Sequence, residues 1–261
     1  RKLPPYSRWR PATSKRKLEQ NGRTARYGPA MRSRGLIVGG WALTALTFFA
    51  LILFVFLKVP VAQPQAGGLA QKIFYFHVPA AYALYLCGGV CFVASALYLA
   101  GPSDKKDAWA KAGAECASVF GGMVMVSGPL WAKKAWGVYW TWDPRLTTLL
   151  LSILIYVAIV LLRSFAGGGD AERKFAAAFG VLGTANRLII QDSVQKWGGN
   201  HPTVIGKGGG GLQDPAMVQA LMGGFFAMTL LAALLLTLRA QLANSQARLL
   251  RAEEAAPDTN G

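Results

Sequence analysis

The chain has 261 residues, of which 53% are hydrophobic and 15% charged, and its mean hydropathy is positive. Soluble domains seldom have this composition, so it indicates an integral membrane protein. The formal net charge of +16 would suit a nucleic-acid partner if the charge covered one surface of a folded domain. However, 11 of the 28 Lys and Arg lie within the first 34 residues. This placement argues against a nucleic-acid-binding protein.

The basic segment, residues 1–34, contains a single acidic residue, Glu19. A segment of this kind cannot bury an apolar core, so it is predicted to be a disordered tail. The uncharged run after it is too long for the apolar region of a secretory signal. It is predicted to be the first membrane span.

Six segments are predicted to cross the membrane, since about 20 helical residues cross a hydrocarbon core of about 30 Å. They are residues 36–57, 78–101, 114–130, 146–162, 175–190 and 215–238. The fifth is the weakest because it contains Arg187, whose side chain would have to extend to the far interface. The predicted fold class is all-α: a polytopic membrane protein with six transmembrane helices over residues 35–240. A carboxy-terminal tail, residues 241–261, is expected to be disordered.

The orientation is predicted from the basic residues, which concentrate in cytoplasmic loops. With the amino terminus inside, 20 of the 28 Lys and Arg lie on the cytoplasmic side and eight lie outside. Without the tail the two sides carry nine and eight, so the tail decides the orientation. Both termini are therefore predicted to be cytoplasmic, and residues 58–77, 131–145 and 191–214 are predicted to lie outside.

The second outer segment is unusually aromatic. Within 12 residues it contains four of the eight tryptophans and a tyrosine, namely Trp131, Trp136, Tyr139, Trp140 and Trp142. An interfacial aromatic belt would distribute such residues over all the span ends. The cluster instead predicts a broad, flat surface for a planar ligand.

Both histidines of the chain fall in predicted outer segments. Pro79 suits the first turn of a helix, which places His77 at the mouth of the second span. His201 lies in the third outer segment, after Trp197. A lone interfacial histidine is more often a hydrogen-bonding group. A pair of imidazoles beside an aromatic surface, however, is the arrangement that axial ligation of heme iron requires.

The sequence WGxxWxWDxRLT, which begins at Trp136, resembles the tryptophan-rich WWD motif of heme-handling proteins in cytochrome c biogenesis. The His77-Val-Pro-Ala segment and the region from Trp197 to Pro202 match the same family. With six spans and one histidine in each flanking loop, the chain is similar to the heme exporter protein C (CcmC) branch. The resemblance covers roughly residues 36–240.

The resemblance implies a protein that binds heme b on the outer face of the bacterial inner membrane. It further implies delivery of heme to a periplasmic heme chaperone, beside the ABC transporter subunits of the cytochrome c maturation complex. His77 and His201 would be the axial ligands of the iron. The other residues predicted to contact the cofactor are Trp131, Trp136, Tyr139, Trp140, Trp142, Asp143, Arg145 and Trp197. The chain would then be a delivery protein and not an enzyme.

Two of these polar groups have a second interpretation. Asp143 stands directly before Pro144 and can cap the fourth span, which does not exclude contact with a partner. Arg145, with Lys133 or Lys134, can neutralise heme propionates or anchor the loop at the interface.

Three functional alternatives remain at the level of sequence. A cytochrome c synthase would carry further histidines, and a small-substrate transporter would place polar residues at mid-membrane. A structural membrane subunit would leave the aromatic cluster unexplained. The cysteines, which all fall in apolar segments, are predicted to be small packing residues: Cys87, Cys91 and Cys116.

Overall fold

The structure is a computed structural model that describes residues 30–63, 67–165, 169–197, 212 and 214–254. These residues form six α-helices and one short 3-10 helix, Gly68–Ala70. The α-helices are α1 (Ala30–Leu57), α2 (Gln71–Ala100), α3 (Asp104–Trp136), α4 (Pro144–Phe165), α5 (Asp170–Trp197) and α6 (Pro215–Glu254). The chain divides into two compact units, residues 1–40 and residues 41–261. The described part of the first unit is the start of α1, and the helices from α2 to α6 all belong to the second.

The all-α prediction is confirmed, and each predicted span coincides with part of one helix, apart from Gly101, which caps the second. Four helices contain segments that are long and apolar enough to cross a membrane: Gly35–Leu57, Gly68–Ala100, Pro144–Phe165 and Pro215–Leu249. Helices α3 and α5 have the length but not the apolar composition. That α3 and α5 also cross the membrane, which would make six spans, therefore remains a prediction.

Helix α3 extends beyond the predicted third span at both ends. Ser103 is the N-cap, and its Oγ accepts a hydrogen bond from the backbone N–H of Lys106 at 3.4 Å. The helix continues past Pro129 and ends where Gly137 adopts a left-handed conformation, φ +80°. It therefore extends beyond residue 130, the predicted end of the third span, because the left-handed Gly137 provides a C-cap only there. The predicted outer segment 131–145, which the tryptophan-rich motif extends to a loop of 131–147, is irregular only over residues 137–143.

Helix α2 begins at Gln71, so Pro79 lies inside the helix and His77 in its second turn. The expectation that Pro79 marks the first turn is therefore wrong. Pro79 has no N–H for the carbonyl of Tyr75, four residues earlier. A Cβ on Gly224 of α6 would collide with that same Tyr75 oxygen. Glycine thus allows the α6 backbone to approach α2 where α2 has lost a hydrogen bond.

Helix α6 is longer than the sixth predicted span. Its 40 residues are about 60 Å long at 1.5 Å per residue, about twice the thickness of a hydrocarbon core. Residues 241–254, which were expected to belong to a disordered tail, are helical. An ion pair between Arg251 and Asp104 holds this extension against the start of α3, with an N–O distance of 2.6 Å.

Small residues bring α2 and α3 together at the centre of the unit. A Cβ on Gly113 would lie 2.5 Å from the backbone nitrogen of Cys91 and 2.9 Å from the carbonyl oxygen of Cys87. In a membrane, such close backbone approach supplies the packing that the hydrophobic effect cannot provide. All three cysteines are buried and free, in agreement with a packing role.

Ion pairs connect the helix ends on the side where α2 meets α3 and α4 meets α5. Asp107 at the start of α3 pairs with Arg163 at the end of α4 (2.6 Å), and both side chains are largely buried. Asp104 pairs with Arg173 of α5 at 3.0 Å. Burial alone would lower the pKa of Arg173, but the neighbouring Asp107 and Asp104 outweigh it and raise that pKa. One set of carboxylates on α3 thus joins three other helices.

Candidate functional site

The site occupies the opposite end, where α2, α4 and α6 begin and α3 ends. Its first residue is His77, which faces α3. The His77 ring Nδ1 lies 2.9 Å from the Oγ of Ser127. A Cβ on Gly128 would lie 3.1 Å from Cε1 of the same ring. The imidazole is therefore held between two consecutive residues of α3.

The segment that precedes α2 folds onto the aromatic end of α3. Gly67 adopts a left-handed conformation, φ +95°, and a Cβ there would lie 3.3 Å from Nε1 of Trp131. Because Ser127 and Trp131 are four residues apart on one helix, they share a face. The Trp131 indole thus lies one turn beyond the residue that contacts His77. The first and second outer segments predicted from the sequence meet here.

Lys72 fastens the beginning of α2 to the end of α1. Its side chain is 9% exposed, and its Nζ donates to the carbonyl oxygen of Phe56 at 3.2 Å. The same Nζ lies 5.1 Å from the centre of the Phe56 ring. The carboxy-terminal end of a helix carries a partial negative charge, and the ammonium group of Lys72 interacts favourably with it. Lys72 therefore holds the start of α2 next to the end of α1.

The tryptophans form two edge-to-face pairs. Trp131 and Trp136, in the last turns of α3, have ring centres 5.3 Å apart at an interplanar angle of 84°. Trp140 and Trp142, in the irregular segment, are 5.9 Å apart at 80°. Perpendicular neighbours favour contact between ring edge and ring face. The rings consequently do not form the single flat surface that the sequence suggested.

Some aromatic rings of the site are exposed, whereas two of the tryptophans bury their Nε1 atoms. Trp142 is 76% exposed and Tyr139 is 58% exposed. The Nε1 atoms of Trp131 and Trp140 and the Oγ1 of Thr141 are buried, with no hydrogen-bond partner among the residues that the structure describes. Buried polar atoms are normally hydrogen-bonded, so these three groups offer hydrogen-bonding capacity to an acceptor.

Lysine and glycine determine how α3 gives way to the irregular segment. The Nζ of Lys133 donates to the carbonyl oxygen of Gly137 at 2.8 Å and lies 5.2 Å from the centre of the Tyr139 ring. A basic side chain in the last turn satisfies carbonyl groups that lack a partner within the helix. In this conformation Lys133 caps α3, and its proposed contact with a propionate would compete with that bond.

Asp143 caps α4. Its Oδ1 accepts from the backbone N–H of Arg145 at 2.8 Å, and its carbonyl oxygen accepts from the N–H of Thr147 at 2.9 Å. The residue is 6% exposed. Pro144 at the first helical position has no N–H to satisfy. These two bonds agree with the capping interpretation of Asp143, and the neighbouring Trp142 exposes a much larger surface.

The third outer segment lies mostly outside the described residues. His201 belongs to the part that is not described, and α5 ends at Trp197, of whose side chain nothing is described. Nearer the centre, Asn186 of α5 is buried and its Nδ2 donates to the carbonyl oxygen of Thr148 (2.8 Å) and to Oγ of Ser152 (2.7 Å). These bonds fix the outer part of α5 against α4.

Sequence reasoning did not identify Ser127, Gly128, Gly67 or Asn186. The Ser-Gly-Pro sequence at 127–129 carried a signal, because a break in an apolar run can mark a close contact as well as a helix end. Asn186 also carried a signal, since a polar amide within a predicted span needs a partner on a neighbouring helix.

The fold and this end of it define a class: a helical membrane protein with an imidazole and clustered indoles where several helices end. The protein-family model described as heme exporter protein C (CcmC) matches residues 29–256. The chain belongs to the heme exporter protein C family.

Over the aligned residues, curated relatives are about 30% identical to this chain. Heme exporter protein C of Bradyrhizobium diazoefficiens is 30% identical over 190 residues, which are 72% of each chain. Heme exporter protein C of Escherichia coli K12 is 32% identical over 179 residues, 66% of this chain and 69% of the relative. A putative cytochrome c biosynthesis ccmC-like mitochondrial protein of Marchantia polymorpha is 28% identical over 193 residues, 72% and 79% of the two chains.

Proposed function

We propose that this chain binds heme at the outer face of a bacterial inner membrane and delivers it to a membrane-anchored periplasmic heme chaperone during cytochrome c maturation. The observation that carries the proposal is the position of His77. Its imidazole packs on α3 one turn from Trp131 and thus beside the aromatic end of that helix. The match to the heme exporter protein C model over residues 29–256 supports the proposal.

The residues at this end fit heme in three respects. His77 offers an imidazole, which is a common axial ligand of heme iron. The indole and tyrosine rings offer apolar and polarizable contact area. The buried Nε1–H groups of Trp131 and Trp140 lack acceptors among the described residues, and a carboxylate such as a propionate is a strong acceptor. When bound, heme would supply an iron centre that imidazole nitrogens can ligate.

In this proposal His201 would supply the second imidazole that holds the iron. It belongs to the predicted outer segment that enters α6 at Pro215, next to the start of α2. Leu212 and Met217 pack in one apolar cluster with Phe74 and Tyr75 of α2. The chain after His201 therefore returns to the helix that carries His77. Asn186 holds the preceding part of α5 to α4, so each flank of the segment is anchored.

Delivery would use the exposed rings. Trp142 and Tyr139 protrude from a short segment whose ends are fixed by the left-handed Gly137 and by the Asp143 cap. A rigidly supported, exposed aromatic pair is a suitable contact for a protein partner, because aromatic residues contribute strongly to interfaces. The same partner set would include the ABC transporter subunits of the maturation complex. No catalytic step is assigned to this chain.

Transfer of heme from the purified chain to a soluble form of the chaperone tests the proposal. Trp140→Ala and Trp142→Ala should each weaken chaperone capture and slow the transfer of heme, while His77 and His201 remain. Trp41→Ala is the matched control, because Trp41 is exposed on α1 outside the site. Transfer by both site variants at the rate of the control would overturn the role of the aromatic segment.

A further inference from the structure

The hydroxyl group of Ser127 has one proton, and the structure shows where that proton is used. Ser127 Oγ donates to the carbonyl oxygen of Met123, four residues earlier, at 2.6 Å. A carbonyl oxygen cannot donate, so two oxygens this close require the serine proton between them. Toward any other neighbour, the hydroxyl can then only accept.

His77 is that neighbour. Its Nδ1 lies 2.9 Å from Ser127 Oγ, which is hydrogen-bonding distance. Because Oγ can only accept, Nδ1 must carry the proton and donate it. A neutral imidazole has one N–H, so Nε2 is the nitrogen with the lone pair. The bond thus selects one tautomer of His77.

Gly128 restricts the same ring from the adjacent position. A Cβ on this residue would lie 3.1 Å from Cε1, 3.7 Å from Nδ1 and 3.9 Å from Nε2 of His77. A side chain at position 128 would therefore crowd the ring, and glycine leaves room for the imidazole beside α3. The Ser127 bond sets the tautomer, and Gly128 permits the close packing in which that bond forms.

We infer that Ser127 is a positioning residue that presents Nε2 of His77 as the iron-binding nitrogen. The inference rests on the proposed function, in which His77 is an axial ligand. A ligating histidine whose other ring nitrogen donates to an acceptor has a fixed tautomer and a more basic donor atom. Removal of such a partner typically reduces metal affinity by roughly 10- to 100-fold.

The tautomer can be measured without heme. In the heme-free protein with ¹⁵N-labelled histidine, His201→Gln leaves His77 as the single histidine of the chain. We expect ¹⁵N shifts of a protonated Nδ1 and an unprotonated Nε2 for His77. Adding Ser127→Ala should shift the signals toward protonated Nε2. A protonated Nε2 in the presence of Ser127, or identical spectra with and without it, would overturn the inference.

Heme titration then measures the consequence for binding. Ser127→Ala should weaken heme binding about 10-fold and alter the absorption spectrum of the bound form. Ser127→Thr should keep the original heme affinity and spectrum. Threonine hydroxyls in this chain also donate to the carbonyl oxygen four residues earlier, as Thr229 does to Phe225. Ser118→Ala is the matched control, since Ser118 makes that bond to Ala114 on the same helix.

The outcomes separate this inference from the proposed function. If His77→Ala binds heme with unchanged affinity and spectrum, ligation by His77 fails whatever the tautomer. If His77→Ala weakens binding and Ser127→Ala does not, ligation stands and the role of Ser127 is overturned. Equal losses in Ser127→Ala and Ser118→Ala would show a general effect on α3 and would likewise overturn it.

Discussion

At the scale of single residues, the site depends on groups that act through their neighbours. Asp143 is nearly buried and uses its carboxylate and its carbonyl to begin α4. Lys133 caps the end of α3, and Lys72 caps the end of α1. Lys133 and Asp143 thus support the two ends of the aromatic segment, and Trp142 and Tyr139 are its exposed rings.

Substitution of Asp143 distinguishes support from direct electrostatic contact. Asp143→Ala should lower stability by about 1 kcal/mol through loss of the cap and should slow heme transfer because the Trp142 segment loosens. Asp143→Asn should retain most of both properties, since asparagine caps as well as aspartate. Thermal unfolding in detergent and the transfer assay measure the two effects. An asparagine variant as impaired as the alanine variant would show that the negative charge itself is needed.

At the scale of elements, each apolar run predicted one of the six α-helices of the described residues, but not where that helix begins and ends. An apolar run reports the part of a helix that matches the hydrocarbon core, whereas caps and tertiary contacts decide where the helix ends. Ser103 and the left-handed Gly137 extend α3 beyond residues 114–130, and Arg251 extends α6 through its pair with Asp104. The contact between His77 and Ser127 could not be predicted from the sequence, because it depends on the rotation and the axial position of α2 relative to α3.

The α2–α3 contact makes a prediction of its own. Gly113→Ala would place a Cβ 2.5 Å from the Cys91 nitrogen and 2.8 Å from its Cα, and backbone atoms of a packed helix cannot move aside cheaply. We expect a loss of about 1 to 3 kcal/mol, measured as a lower midpoint of thermal unfolding in detergent. Gly89→Ala on α2 is the control, with nothing within 4 Å of its Cβ. An unchanged midpoint for Gly113→Ala would contradict the close approach.

At the scale of the whole molecule, some of the basic residues that predict the orientation also form ion pairs between helices. Arg163, Arg173 and Arg251 belong to the side predicted to be cytoplasmic, and all three pair with Asp104 or Asp107. The first two predicted outer segments meet at the other end, where Gly67 contacts Trp131. The sequence thus grouped the described loop ends correctly, while the side of the membrane that each group faces remains a prediction.

Reporter fusions test that orientation. A reporter after Gly261 should be active in its cytoplasmic form, and one inserted after Lys207 should be active in its periplasmic form. The physical reason is that 20 of the 28 Lys and Arg lie in segments predicted to be on the same side of the membrane as the amino terminus, and basic residues concentrate in the cytoplasm. Reversed activities of the two fusions would place the aromatic segment in the cytoplasm.

The absorption spectrum of the purified, heme-loaded protein tests the central claim most directly, which is that His77 and His201 hold the iron at the aromatic end of the bundle. Two imidazoles should give a low-spin spectrum. His77→Ala and His201→Ala should each shift it, and the double variant should lose most of its heme. Residual heme held by the indoles in the double variant is compatible with the claim. An unaltered low-spin spectrum in both single variants would contradict it.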